Sequence, residues 1–377
     1  MGYITREPRL GLIAFFFLYS NSLFAVSNGQ LANDWYYDAL VQNDGGCSGT
    51  LIDDRFVLTA AHCLGASAEE DLALVTFKQV LPASGGYRRD ITVQGRRYYH
   101  PTYFSSNSGA NDIGMIALDQ PASETVNVLP IPAKLYGAPS VGDVHTLAGI
   151  GAHGPNCSMP GGVVKTKATL ALNEINLMAS IAGVPEKTEG MLFNYRNSFY
   201  HTCPGDSGGH ALVSEGGGKK IVGVVSSGTP TSSQIHPVFI VANWIKWVMD
   251  GRPDWYTLYE GSGNLSGGNW NYFGPMNAAQ MEKLSVKLKS VSGDLDLYLK
   301  VGGIPTFNDY DCKSALWPHE NNGIDECTLS PDIAYLLENE GQNYPSHENE
   351  TTPASITIGV YAYSTGQYNL DYKYLFE

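Results

Sequence analysis

Between about residues 33 and 225 the chain runs as short apolar segments separated by Gly, Pro, Asn and Asp, the punctuation of strands and tight turns. Thr50–Ile52, Phe56–Thr59, Ile113–Leu118 and Lys220–Val225 are the clearest of these segments. So many short strands predict a barrel or a sandwich. The pattern changes at Val241–Val248, where Val241, Trp244, Ile245 and Val248 recur at helical spacing and predict one amphipathic helix. Asp250-Gly251-Arg252-Pro253-Asp254 then breaks that helix. Strict alternation follows further on. Leu295, Leu297, Leu299 and Val301 share one strand face and Asp294, Asp296 and Tyr298 the other; Ile356, Ile358, Val360 and Ala362 repeat the arrangement opposite Thr357, Tyr361 and Tyr363. This second stretch predicts a smaller β-sandwich.

The first residues follow neither pattern. Arg6 and Arg9 make a basic start, Leu10–Tyr19 is apolar or aromatic throughout, and polar Ser20, Asn21 and Ser22 precede Leu23-Phe24-Ala25. That is the layout of a secretory signal peptide cut after Ala25, whereas a membrane-spanning helix needs about 20 apolar residues. No other segment is apolar enough to cross a membrane as a helix. Among 377 residues, 23 basic and 37 acidic side chains give a formal charge of -14, which disfavours nucleic acid and anionic membranes as partners. Length and a 43% hydrophobic content suit two domains with separate cores. Six cysteines suit a few bridges made in an oxidising, extracellular setting.

Three segments carry candidate chemistry: Leu58-Thr59-Ala60-Ala61-His62-Cys63, Asn111-Asp112-Ile113-Gly114, and Gly205-Asp206-Ser207-Gly208-Gly209. Each alone has an ordinary structural account, as a core histidine, a turn or a flexible loop. Together, in the order His, Asp, Ser within one strand-rich region, they point to nucleophilic catalysis. A serine hydroxyl becomes a useful nucleophile near neutral pH only when a hydrogen-bonded base takes its proton. A carboxylate on the other ring nitrogen then holds the base in the right tautomer.

On these segments, residues 26–250 resemble the chymotrypsin/trypsin family of serine peptidases. The resemblance implies two six-stranded β-barrels with a C-terminal helix, and therefore an all-β fold. It implies Ser207 as nucleophile, His62 as general base and Asp112 as the residue that orients the imidazole. Gly205 and Ser207 would offer backbone N–H groups to the oxyanion, each worth about 2.7–4 kcal/mol to the transition state. Asp206 would pair with an α-amino group freed by activation. No run of two aliphatic residues and two glycines follows a basic residue, but Val26-Ser27-Asn28-Gly29 lies directly behind the expected signal cleavage. Signal peptidase would then create the activating terminus at Val26; the alternative is that these four residues are a plain polar loop.

The same resemblance pairs Cys47 with Cys63, closing a loop worth roughly 3 kcal/mol. Cys203 needs a partner other than the usual downstream one, since no cysteine follows until Cys312. Cys157 is the candidate, and Cys312 is left to pair with Cys327. Metal binding by the six cysteines is not expected, since no close Cys-Cys or Cys-His ligand spacing occurs, and no cofactor is expected. His201 stands six residues before Ser207, at the pocket floor, where trypsin-like enzymes carry an Asp. It disfavours Arg or Lys as the residue before the cleaved bond (P1) and leaves acidic or polar and aromatic residues open. His236 approaches the same pocket on an approximate alignment. Ser226, Ser227 and Gly228 resemble the segment that pairs with the substrate backbone. His210 after the Gly-Asp-Ser-Gly-Gly run and Pro204 before it depart from the commonest pattern without touching the three central residues.

After a linker at 251–256, residues 257–377 resemble the bacterial pre-peptidase C-terminal domain. The resemblance rests on Ser292-Gly293-Asp294-Leu295-Asp296-Leu297-Tyr298-Leu299, Pro305, Tyr310-Asp311-Cys312, Glu326-Cys327 and Val360-Tyr361-Ala362-Tyr363. It implies a removable secretion or targeting module without catalysis. Asp294 and Asp296 offer carboxylates of the kind Ca²⁺ takes, though such residues more often form a solvated face. Exposed tyrosines would let the module grip an insoluble polymer, or simply pack as good strand formers. The expected function is that of a secreted serine endopeptidase acting on protein or peptide substrates through an acyl-enzyme. The alternative is a catalytically silent binding protein that keeps the protease fold.

Overall fold

The computed structural model describes residues 26–64, 72–78, 90–103, 111–162, 164–177, 191–252, 255–278, 281–316, 321–329 and 355–376. The expected signal peptide, and Pro253 and Asp254 of the expected linker, lie outside the described residues. Six antiparallel strands close a barrel in the order Leu40–Asn43, Ser48–Asp53, Phe56–Thr59, Gly114–Leu118, Asp90–Tyr99 and Leu72–Lys78. The last strand pairs back onto the first, Val41 opposite Phe77. Alternation is what makes these segments strands: along Leu72–Lys78, Ala73, Val75 and Phe77 point into the barrel while Leu72 and Leu74 face outward.

The following part is an eight-stranded antiparallel sheet. Its order is Gln30–Leu31, Thr166–Ala171, Val144–Gly149, His210–Glu215, Gly218–Thr229, Ser232–Pro237, Met191–Arg196 and Glu174–Leu177. It has two strands more than the six-stranded barrel the sequence suggested; its edges are Gln30–Leu31 beside Thr166–Ala171 and Glu174–Leu177 beside Met191–Arg196. Among the described residues the two outermost strands do not pair with each other. The segment read as Lys220–Val225 extends to Gly218–Thr229, since its first half pairs with His210–Glu215 and its second half, from Gly223, with Ser232–Pro237.

A 3-10 turn, Val238–Val241, leads into the helix Ala242–Met249, which buries Ala242, Trp244, Ile245 and Val248. The backbone of Asp250, Gly251 and Arg252 folds back onto the last helical turn, and the Arg252 guanidinium lies 4.7 Å from the centre of the Tyr98 ring.

Two four-stranded sheets follow, Tyr256–Leu265, Gly366–Phe376, Met281–Ser292 and Ile324–Leu329 in one, Trp270–Asn277, Ser355–Ala362, Leu295–Val301 and Cys312–Ser314 in the other. Leu284, Val286, Leu288 and Tyr372 of the first meet Phe273, Leu297, Leu299 and Ile358 of the second in one core. The alternating strand Leu295–Val301 departs from expectation on its polar face. Tyr298 is fully buried there, with Trp270, Phe307 and Tyr310 around its ring, and Asp296 is buried beside it.

Candidate active site

His62 sits in a 3-10 turn, Ala61–Leu64, directly after the barrel strand Phe56–Thr59. The Cys47–Cys63 disulfide ties this turn to the start of the neighbouring strand. Asp112 precedes the strand Gly114–Leu118, presented by a turn in which Asn111 takes a left-handed conformation (φ 52°). The Asn111 amide donates to Thr102 Oγ1, which also bonds His100 Nδ1 at 2.8 Å, so the turn is braced from behind. Gly114 is needed where it stands: a side chain would run into Leu64 and the backbone of Ala61.

These two turns bring the base and the acid together. His62 Nδ1 lies 2.6 Å from Asp112 Oδ2, and the His62 backbone N–H donates to Asp112 Oδ1 at 2.8 Å. An ionised carboxylate only accepts, so Nδ1 carries the hydrogen and Nε2 is left as the basic nitrogen. The Asp112 carboxyl is buried, whereas the His62 side chain is 38% exposed. Burial opposes charge on His62, but the hydrogen bond and charge of Asp112 outweigh it and hold the imidazole above its ordinary 6.5. Burial also opposes charge on Asp112, yet His62 and Ser226 together hold it below the usual carboxylate value.

Ser207 lies in a loop shaped by Gly205 and Gly208, both left-handed (φ 90° and 81°). A Cβ on Gly208 would collide with the Ser48 carbonyl and the Thr59 hydroxyl, so glycine is required there twice over. The Ser207 hydroxyl donates to the Ser226 carbonyl at 3.1 Å. Ser226 in turn is a bulge: its neighbours Val225 and Ser227 pair with consecutive residues, Ile235 and Gln234, leaving Ser226 without a cross-strand partner. That extra residue aims its carbonyl at Ser207 and its hydroxyl at Asp112 Oδ2, 2.6 Å away. The sequence marked Ser226 as part of a substrate-pairing segment and missed its hydrogen bond to Asp112. A serine in a strand with no visible bulge signal gives little warning of it.

Asp206 is fully buried and accepts backbone N–H groups from Gly151 (2.9 Å) and Cys203 (2.8 Å). Burial dominates over these two bonds and lifts its carboxyl to about 7. Val26 is also fully buried, against Leu147, Phe193 and Ile235 among others. In the intact chain its backbone N–H donates to Thr166 Oγ1 at 2.5 Å rather than to Asp206. The next residue, Ser27, donates its N–H to the His201 carbonyl at 2.9 Å.

The disulfide Cys157–Cys203 runs alongside His201, whose Nε2 is 3.7 Å from Cys157 Sγ. His201 is 3% exposed, and burial lowers its pKa, so the ring is neutral at neutral pH. The polar group set against this segment is Ser233, whose hydroxyl accepts the Thr202 N–H at 2.9 Å. Burial, with a smaller contribution from nearby His236, lowers the pKa of His100 to about 3. Gly228 packs against Thr202 Oγ1, and the Ser227 hydroxyl bonds Gln234. His210 is buried, bonds Thr50 and stacks on Tyr37.

In the C-terminal sheets Cys312 is joined to Cys327. Burial raises the Asp296 carboxyl to about 6, and the Lys313 ammonium lies 3.7 Å from it. Among the described residues no three carboxylates converge as a metal would require; the two Cys/His clusters that do converge consist of disulfide cysteines with His62 or His201. Tyr363, Phe307 and Tyr310 are the large side chains exposed on the aromatic face of this region.

With this geometry in place, comparison with known proteins is informative. The profile described as Trypsin matches residues 27–247. The chain is 30% identical over 226 residues to the thrombin-like enzyme elegaxobin-1 of Protobothrops elegans, covering 58% of this chain and 90% of that protein. It is likewise 30% identical over 235 residues to the beta-fibrinogenase mucrofibrase-5 of Protobothrops mucrosquamatus, 58% and 82% of the two chains. The snake venom serine protease catroxase-1 of Crotalus atrox is 28% identical over 231 residues, 59% and 84% of the two chains.

Proposed function

Because the chain belongs to the trypsin family and is a serine-type endopeptidase, we propose that it is secreted and cleaves proteins with His62, Asp112 and Ser207 as its catalytic triad. The observation that carries this reading is Asp112 held at 2.6 Å from His62 Nδ1, with Ser226 bonded to both Asp112 and Ser207. When substrate binds, rotation about the Ser207 Cα–Cβ bond moves the hydroxyl from the Ser226 carbonyl towards His62 Nε2. Catalytic hydrogen bonds commonly tighten only at that stage. Ser207 Oγ then attacks the scissile carbonyl as its proton passes to Nε2. The oxyanion accepts from the N–H groups of Gly205 and Ser207, and the imidazolium protonates the leaving amine. Water repeats the sequence on the acyl-enzyme.

The neutral, buried His201 offers no carboxylate to an Arg or Lys side chain, so P1 is acidic, polar or aromatic. Removal of residues 1–25 frees Val26, whose ammonium then replaces burial as the dominant influence on Asp206. The C-terminal sheets resemble the pre-peptidase C-terminal domain, and their exposed Tyr310 and Tyr363 suit contact with an insoluble polymer. A fluorophosphonate probe tests the central assignment: it labels the secreted protein at Ser207 and leaves Ser207→Ala unlabelled. An unlabelled wild type would instead indicate a silent protease-fold binding protein. A peptide-library profile dominated by Arg or Lys at P1 would overturn the pocket reading.

A further inference from the structure

Ser48, the first residue of the barrel strand Ser48–Asp53 and never implicated by sequence motif, is hydrogen-bonded on every side. It is fully buried. Its backbone N–H donates to the Ser207 carbonyl at 2.8 Å, and its own carbonyl accepts the Thr59 hydroxyl at 2.8 Å. Its hydroxyl accepts the Ile150 N–H at 2.9 Å and donates to the Gly205 carbonyl at 2.8 Å. One residue thus reaches the nucleophile, the oxyanion glycine, the segment that holds Asp206, and the strand that leads to His62.

The bond to Gly205 is the consequential one. Gly205 stands between two peptide planes, and as a glycine it has little intrinsic preference for the orientation of either. The preceding plane is fixed because the Pro204 carbonyl accepts the Ala152 N–H at 2.7 Å. In a planar trans peptide the N–H points opposite to the C=O, so this bond aims the Gly205 N–H away from the segment around Ala152. The following plane carries the Gly205 C=O and the Asp206 N–H, the first held by the Ser48 hydroxyl and the second donating to the Cys203 carbonyl at 3.0 Å. Because that hydroxyl already accepts from Ile150, its single hydrogen is committed to the Gly205 carbonyl. Without it, the buried Ile150 N–H and the partly buried Gly205 C=O both lose their partner, which favours rearrangement of the loop.

We propose that Ser48 is a positioning residue for the oxyanion hole: its buried hydroxyl clamps the Gly205 carbonyl against the Ile150 amide and so holds the Gly205–Asp206 peptide, which lies between the Gly205 and Ser207 N–H groups. This rests on the reading of Ser207 as nucleophile and Gly205 as oxyanion donor. It differs from the expected role of Asp206 in acting through a side chain of the first barrel, present before any terminus is freed.

The test compares wild type, Ser48→Ala and Ser48→Thr on one peptide amide carrying the preferred P1 residue. The matching peptide trifluoromethyl ketone, which forms an oxyanion with Ser207, is measured as inhibitor. Labelling of wild-type Ser207 by a fluorophosphonate comes first; if that fails, the nucleophile assignment fails and not this proposal. For Ser48→Ala the expected result is a kcat lower by roughly 10- to 100-fold, as for a small misplacement of a catalytic group, with the ketone weakened in proportion. KM stays within about twofold, because the interaction matters in the transition state. The pH at which kcat/KM falls is unchanged, since His62 is untouched, and Ser48→Thr, which keeps the hydroxyl, recovers most of the rate. The proposal is overturned by wild-type kcat in Ser48→Ala, by a loss confined to KM, or by a loss that Ser48→Thr does not reverse. Unchanged ketone affinity alongside a lower kcat also overturns it. Ser48→Gly removes the same hydroxyl and replaces the alanine variant if that does not fold. Failure of both to fold would show a purely structural residue.

Discussion

At the scale of single residues, the proposed chemistry depends on two carboxyls whose surroundings push them in opposite directions. Asp112 is held charged by His62 and Ser226, and it returns the favour by holding His62 above 6.5. Activity therefore falls as pH drops through that raised value, because protonated His62 can no longer act as base. Asp112→Asn is expected to lower kcat by roughly ten-thousand-fold through loss of the correct tautomer, while fluorescence and melting temperature change little. A pH–rate profile of the surviving activity should move to lower pH, since the charge that supported His62 is gone. Asp206 behaves the other way. In the uncleaved chain burial lifts it to about 7 from 3.8. Between those values the folded protein keeps a proton that the unfolded chain has released, so stability falls as pH rises across the window and is level above it. Each unit of such a shift corresponds to about 1.4 kcal/mol. A freed Val26 ammonium would hold Asp206 ionised and abolish the decline. Melting temperatures of the uncleaved and mature forms between pH 4 and 7.5 check this, and identical slopes would count against Val26 as the partner.

At the scale of elements, the site is assembled by turns and one bulge rather than by the strands themselves. The strands were legible because alternation is a local property, and so were the segments carrying His62, Asp112 and Ser207. What could not be read was set by register. The bulge at Ser226 depends on how Gly218–Thr229 pairs with Ser232–Pro237, and its hydroxyl reaches Asp112, 114 positions away in the chain. Ser48 was illegible for the same reason, since its hydroxyl partners Gly205 and Ile150 lie 157 and 102 positions distant. The width of the second sheet was missed because its edge strands, Gln30–Leu31 and Glu174–Leu177, are too short to show periodicity. The disulfide Cys157–Cys203 ties the turn at Pro155–Cys157 to the segment between His201 and Ser207, across 46 residues. In the chain-entropy account a loop of that size is worth about 4 kcal/mol. Replacing both cysteines with serine should lower the unfolding free energy by roughly 2–4 kcal/mol in denaturant titrations. The same variant should show broader P1 selectivity, because His201 loses its neighbour.

At the scale of the whole molecule, the sheets that follow residue 255 are joined to the part before them through the helix Ala242–Met249. The alternating pattern after residue 255 identifies strands with a buried face. It does not disclose that the last helix of the first part belongs to the same core. Trp244, Ile245 and Val248 are continuous with Leu51 and Ile116 of the barrel on one hand and with Leu284, Leu297 and Tyr374 of the C-terminal sheets on the other. The junction is aromatic: Trp247 lies 5.4 Å from Tyr256 and 5.7 Å from Tyr374, and those two tyrosines are 5.3 Å apart. Such rings contribute beyond their buried area, by about 0.5–1.5 kcal/mol for each pair. A module merely strung on a linker would present a polar surface here and unfold independently. The shared core predicts instead that the full chain melts in a single calorimetric transition, with calorimetric and van't Hoff enthalpies in agreement. Trp247→Ala removes the central ring of the junction. Because Trp247 is only partly buried, the loss should be about 2–3 kcal/mol, below that of a fully buried tryptophan. The single transition should then separate into two, the lower of them assigned by the loss of peptidase activity or by its retention. Two resolved transitions in the unaltered protein would show that the C-terminal sheets are independent after all, and that their removal leaves the peptidase intact.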